Sequence, residues 1–86
     1  MFEWDDYNLE HVARHNVEDF ECEEAFYASQ RVEGEAYNTL RDKNYAFIGA
    51  TETGRILWVM YTYRDGRIRV GTARDANKRE KRRYRR

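Results

Sequence analysis

The stretch YAFIGATETGRILWVMYTYRDGRIRV, residues 45–70, decides the fold. Residues 45–50 and 55–63 are short runs rich in aromatic and β-branched side chains, and Glu52-Thr53-Gly54 between them reads as a tight turn. The second run is apolar on both sides: Ile56, Trp58 and Met60 lie on one, Leu57, Val59 and Tyr61 on the other. A strand buried twice belongs at the centre of a sheet. Asp65-Gly66 then supplies the pair of positive φ angles that a two-residue type I′ hairpin requires. It returns the chain into a strand expected over 67–73, where Ile68 and Val70 alternate with Arg67 and Arg69. One face of that strand is core and the other cationic.

On the N-terminal side, Asp5 or Asp6 caps a helix expected over 6–15, with Tyr7, Leu9, Val12 and Ala13 at roughly helical spacing and Asn16 as its stop. Asp19 is expected to cap a second helix over 20–29. Phe20, Ala25, Phe26 and Ser29 would face inward there, with Glu21, Glu23 and Glu24 in water. Residues 31–33 are a candidate edge strand, and Asp75 is expected to cap a closing helix over 76–84. Two helices, a small antiparallel sheet of about four strands and a last helix make an α+β domain. The 86 residues hold no proline, no Gly/Ser linker and no repeat, so residues 1–86 read as a single domain.

Composition narrows the function. An aromatic share of 15% within a 41% apolar chain is too rich for a disordered tail. No apolar run approaches the roughly 18 residues of a membrane span, and the opening MFEWDDYNLE lacks the basic and apolar stretch of a secretory signal, so the expectation is a cytoplasmic protein without a membrane partner. Cys22 is alone, which excludes an internal disulfide and a paired-cysteine zinc site. The formal net charge of zero conceals a split. Residues 1–40 carry eleven acids against two arginines, a net −9, while residues 41–86 carry fourteen bases against five acids, a net +9. Thirteen of the sixteen bases are arginine, whose planar fork suits phosphate. Clustered cations of this kind commonly mark a nucleic-acid or polyanion surface, the rival reading being a solvated helix with a frayed basic tail.

Phe2-Glu3-Trp4-Asp5, then Asn8-Leu9-Glu10-His11 and Arg14-His15-Asn16-Val17, resemble the N-terminal signature of the BrnT toxins. Thr53-Gly54-Arg55, Arg67-Ile68-Arg69-Val70, Thr72-Ala73-Arg74-Asp75-Ala76 and Arg79-Glu80 with Tyr84 follow in that family's order. Asn16 stands where the family usually has glycine, and residues 31–44 do not reproduce its acidic loop. The resemblance implies a RelE-like fold and the toxin of a type II toxin–antitoxin pair, an endoribonuclease that arrests translation and growth. It further implies a BrnA-type antitoxin partner in a 2:2 or larger complex, with DNA reached only through the antitoxin.

The chemistry to be expected is attack of a ribose 2′-hydroxyl on its own 3′-phosphate, with no metal or other cofactor. The protein then takes the 2′ proton, braces the phosphorane and supplies a donor to the 5′-oxygen leaving group. Arg74, where the last strand meets the last helix, is the candidate brace; its rival role is an ion pair with Asp75 or Glu80. His15 is the acid–base candidate because imidazole exchanges protons near neutrality, against a plain helix C-terminal role. Tyr61 and Glu80 are further catalytic candidates, set against core packing and counter-charge. Arg67, Arg69 and Arg55, with Lys78, Arg79, Arg82 and Arg83 of the last helix, are the candidate RNA binders. His11 and His15 share a helical face, but no third zinc ligand converges with them. The competing readings are a non-catalytic RNA- or DNA-binding module and a protein-binding domain that docks a basic partner on its acidic half.

Overall fold

Leu57, Val59 and Tyr61 face one apolar layer and Trp58 and Met60 face a second, so a single strand divides the protein in two. The computed structural model describes residues 1–36, 38, 40 and 43–85; Arg41 and Arg86 of the basic half lie outside the described residues. Its elements are α1 (Asp6–Ala13), α2 (Asp19–Tyr27), β1 (Val32–Glu33), β2 (Tyr45–Ala50), β3 (Ile56–Arg64), β4 (Arg67–Asp75) and α3 (Lys78–Tyr84). The strands form one antiparallel sheet in the order β1-β2-β3-β4. The α+β reading, the inner position of β3 and the Asp65-Gly66 hairpin hold: φ is 53° at Asp65 and 76° at Gly66.

Helices α1 and α2 cover one sheet face. Val12, Val17, Cys22 and Ala25 meet Phe47, Leu57, Val59, Ile68, Val70 and Ala73 there. Burial pushes the Cys22 thiol up to about 12, and the neighbouring Glu21 adds to the shift, so this cysteine is a small apolar filler at neutral pH. The smaller layer on the opposite face joins Ala46, Ile48, Trp58, Met60 and Ala76, with Tyr84 of α3 packed against it.

Asp5 caps α1 through its side chain, which accepts from the amides of Tyr7 at 3.0 Å and Asn8 at 3.1 Å. Asn8 is buried and fully engaged: its oxygen accepts from Asp5 N at 2.8 Å and its nitrogen donates to the Glu3 carbonyl at 3.0 Å. This fixes the segment before α1 against the free edge of β4. Phe2 bridges Ile68 in parallel, and Ile68 N donates to Met1 O at 2.7 Å.

Several boundaries and orientations differ from expectation, each for a local reason. Helix α1 stops at Ala13 because Asn16 adopts a φ of 59° and Val17 N donates back to Val12 O. Glu18, not Asp19, is the cap of α2, and its amide donates to Glu21 Oε1 at 3.1 Å. Phe20 is 55% exposed and Ser29 is exposed, whereas Glu21 turns inward to meet an arginine. Strand β4 runs on to Asp75 because that residue still pairs with Leu57, so the cap of α3 falls to Asn77, whose side chain accepts from Glu80 N at 2.8 Å.

Close approach of α2 to β2 leaves no room at Gly49, where an added Cβ would lie 2.4 Å from the Ala25 carbonyl oxygen. Gly49→Ala should therefore cost about 1–3 kcal/mol in urea denaturation, since backbone must move to admit one methyl. Gly71→Ala, where the nearest atom is 3.7 Å away, should stay within about 0.5 kcal/mol of wild type.

Candidate nucleic-acid interface

The register between β3 and β4 builds the cationic surface. Trp58 lies opposite Arg74 and Met60 opposite Thr72; a bulge then shifts the pairing, so that Thr62 faces Arg69 and Arg64 faces Arg67. Side chains alternate along a strand, so these eight residues share the face turned away from α1 and α2. Helix α3 covers only the Trp58 end. The remainder carries Arg64 and Arg67, both exposed, with Arg69 and Arg74 half-buried beside them.

Arg74 is held by three partners, one of them the Asp75 carbonyl, to which it donates at 3.2 Å. Its guanidinium lies 4.4 Å from the Trp58 ring centroid and donates to Glu80 Oε1 at 2.8 Å and Oε2 at 3.0 Å. Glu80 in turn accepts from Asn77 N at 2.9 Å, which ties the pair to the first turn of α3. Burial alone would push the Glu80 carboxyl up, but hydrogen bonds from Arg74 and the Asn77 amide outweigh it and hold the group below its ordinary value of 4.5. Beside this pair Glu35, Ile48, Arg79 and Arg83 line an open hollow of about 450 Å³ that also includes Asn77 and Glu80.

The other expected site residues separate from this centre. Tyr61 belongs to the apolar layer on the far face, where burial raises its phenol pKa. His15 sits exposed at the corner between α1 and α2, also on that far side, and contributes its carbonyl rather than its ring. The four catalytic candidates therefore resolve into one pair, Arg74 with Glu80, and two residues apart from it.

Arg55 is engaged inside the protein. Its Nε donates to Asp75 Oδ1 at 2.8 Å, while one terminal nitrogen donates to Asn16 O at 2.7 Å and Glu21 Oε1 at 2.9 Å. Hydrogen bonding by Arg55 holds the Asp75 carboxyl below its ordinary value. Arg69 is likewise occupied, 2.8 Å from Asp5 and 3.7 Å from Glu3. By contrast Arg64, Arg67, Lys78, Arg79, Arg82 and Arg83 are exposed and form no ion pair among the described residues. Arg64 is the cation that reading the sequence missed. The signal was present, because a two-residue hairpin makes the residues flanking Asp65-Gly66 a cross-strand pair.

An arginine-bearing sheet face beside a basic helix, on a small α+β domain, defines a polyanion-binding protein. Residues 4–80 match the family described as ribonuclease toxin, BrnT, of type II toxin-antitoxin system, and the chain belongs to that family. Its members are the ribonuclease toxins of such pairs, so RNA is the substrate class and an antitoxin the partner. No curated protein matches the sequence at a significant level. No helix among the described residues is long and apolar enough to cross a membrane, and none of their His, Cys, Asp and Glu side chains gather in groups of three or more that could hold a metal ion.

Both Asp75 and Glu80 have depressed pKa values in the folded chain, so the stability they contribute is present above the ordinary carboxylate range and is lost as pH falls through it. Unfolding free energy should therefore begin to fall as pH drops below about 5 and go on falling until the depressed folded-state values are passed, as read in urea titrations. Asp75→Asn and Glu80→Gln should each flatten that slope, whereas Glu10→Gln, on an exposed pair with Arg14, should leave it unchanged.

Proposed function

We propose that the sheet face bearing Arg74 cleaves RNA by attack of a ribose 2′-hydroxyl on the adjacent 3′-phosphate, without a metal ion, and thereby arrests translation in the cytoplasm. The observation that carries this reading is the Arg74–Glu80 pair, its guanidinium stacked on Trp58 and bordered by cations of β4 and α3 that form no ion pair among the described residues. Arg64 and Arg67 bind the flanking phosphates, with Lys78, Arg79, Arg82 and Arg83 extending the track.

In the reacting complex the scissile phosphate takes over part of the Arg74 fork. Glu80 loses a hydrogen-bond donor at that moment, becomes more basic and accepts the 2′ proton. The 2′-oxygen forms its bond to phosphorus as the bond to the 5′-oxygen breaks, giving a 2′,3′-cyclic phosphate and a 5′-hydroxyl end. Arg74 neutralises the phosphorane, Arg79 and Arg83 offset the charge on the leaving oxygen, and that oxygen takes a proton from water to become the 5′-hydroxyl while Glu80 later returns its proton to solvent. Arg69 and Arg55 hold the scaffold that aims these groups, through Glu3 and Asp5 in one case and Glu21 and Asp75 in the other.

Incubation of the purified chain with total RNA should yield cyclic-phosphate ends in the presence of EDTA; cleavage that chelation abolishes and a divalent cation restores would refute the mechanism. Arg74→Ala should lower the cleavage rate about 100–1000-fold while the fold is kept, by analogy with removal of one preorganised donor. Glu80→Gln should also remove the acid limb of the pH–rate profile. A non-catalytic nucleic-acid module would bind RNA and leave it intact in every one of these assays.

The antitoxin is proposed to silence the enzyme by laying an acidic segment over the same cationic face, in a complex of at least two copies of each chain. Hydrogen exchange should then show protection across residues 55–85 on antitoxin binding. Protection confined to residues 1–30 would show inhibition from the acidic side instead.

A further inference from the structure

Tyr45, Tyr61 and Tyr63 form a three-ring cluster on the α2 side of the sheet, at the end where the β3–β4 hairpin turns. Tyr45 and Tyr61 stack at 5.6 Å, and Tyr63 meets them edge-on at 5.4 and 5.7 Å. Tyr61 is buried and Tyr45 half-buried, but Tyr63 is 54% exposed. Tyr63 thus leaves more than half of its surface to solvent at the edge of a cluster whose two other rings pack against it.

The surroundings are cationic. Lys43 Nζ lies 5.5 Å from the Tyr45 ring centroid, and the Arg31 guanidinium lies 4.2 Å from the Phe26 centroid and 5.6 Å from that of Phe47. Arg31, Lys43, Tyr45 and Tyr61 line a shallow hollow of about 320 Å³, to which Glu33 contributes one carboxylate. Tyr63 is followed directly by Arg64, and across the turn stands Arg67, both exposed and unpaired among the described residues. Aromatic faces interleaved with cations are what single-stranded nucleic acid requires, with stacking for its bases and charge for its phosphates.

We propose that the hairpin end is a stacking subsite for an unpaired base of the RNA, with Tyr63 as the platform and Tyr45 and Tyr61 as its rigid support. The strand passes over the hairpin tip, its phosphates on Arg64 and Arg67 and one base turned back onto Tyr63. The subsite rests on the assignment of the arginine face as the RNA track, and it adds a contact to the base rather than to the backbone. Every base has a π-face, so the subsite selects for single-stranded structure and not for sequence. Tyr61, expected in the reaction, serves here as part of the support.

Binding of a single-stranded 2′-O-methyl RNA, which has no attacking hydroxyl and stays intact, separates these contributions by fluorescence anisotropy over a salt series. Tyr63→Ala should weaken binding roughly 5- to 150-fold with the salt slope unchanged, because stacking releases no counterion. Tyr63→Phe should keep wild-type affinity. Arg67→Ala should instead reduce the salt slope by about 1. An oligonucleotide made abasic at successive positions should lose affinity at one of them on the wild-type chain, and at none on Tyr63→Ala. Unchanged affinity in Tyr63→Ala would overturn the subsite while leaving the arginine track in place. An effect of Tyr63→Ala with none from Arg64→Ala and Arg67→Ala would uphold stacking and overturn the track. Loss of antitoxin affinity alone in Tyr63→Ala would assign the ring to the protein interface and overturn the proposal.

Discussion

The Arg55 side chain is the clasp on which the rest of the structure depends. From the start of β3 it reaches the carbonyls at the α1–α2 corner, the Glu21 carboxylate on α2 and the Asp75 carboxylate at the end of β4. One guanidinium thus fixes four pieces of chain that the apolar layer alone would only hold by shape. The half-buried Glu21 carboxylate, the exposed Asp75 carboxylate and two carbonyls at the ends of elements find their partner in it, so removing it would break all four contacts at once and leave Glu21 short of a donor. Its charge is balanced by Asp75 and Glu21, and Asp75 holds it protonated.

The clasp also explains the polarity of the sequence. Acids in the first forty residues and bases in the remainder are not two surfaces facing different partners throughout; part of each set is consumed internally. Glu21 goes to Arg55, while Glu3 and Asp5 go to Arg69. What is left of the basic half among the described residues is a smaller group, Lys43 beside Tyr45, Arg64 and Arg67 on the hairpin and the outward cations at α3. Arg74 stands between the two kinds. Its pairing with Glu80 and its stacking on Trp58 hold it rigid, while its side chain remains 36% exposed and open to an anion. Preorganisation of that sort is how an enzyme gives a single donor leverage on a transition state.

The strands and helices were legible because their signals are local. The doubly apolar run of β3 and the Asp65-Gly66 turn each point to one structure, and the expected spans lie within a few residues of those observed. The helix caps were less legible. Asp19 and Asp75 are both good capping residues, but Glu18 starts the helix one residue earlier and strand pairing of Asp75 with Leu57 carries β4 past the expected end. The inward turn of Glu21 could not be read from helix periodicity, since its partner lies 34 positions away. The same holds for the site. Arg74 and Glu80 meet within one strand–helix junction and their pairing could be anticipated, whereas the separation of His15 and Tyr61 from them depends on which sheet face each helix covers. The parallel bridge of Phe2 to Ile68 had no sequence signal at all.

That bridge, together with the packing of α1 on β4, sets the order in which this chain acquires its structure. Phe2 closes on β4, the last strand in chain order among the described residues, and loop closure of that length must precede the contacts that reward it. A nascent chain therefore holds neither its edge pairing nor the α1 docking until β4 has been synthesised, and β4 ends at the same junction that carries Arg74. The Arg74–Glu80 pair is completed later still, once α3 follows, so partial chains made on the way lack both the docked α1 and the pair.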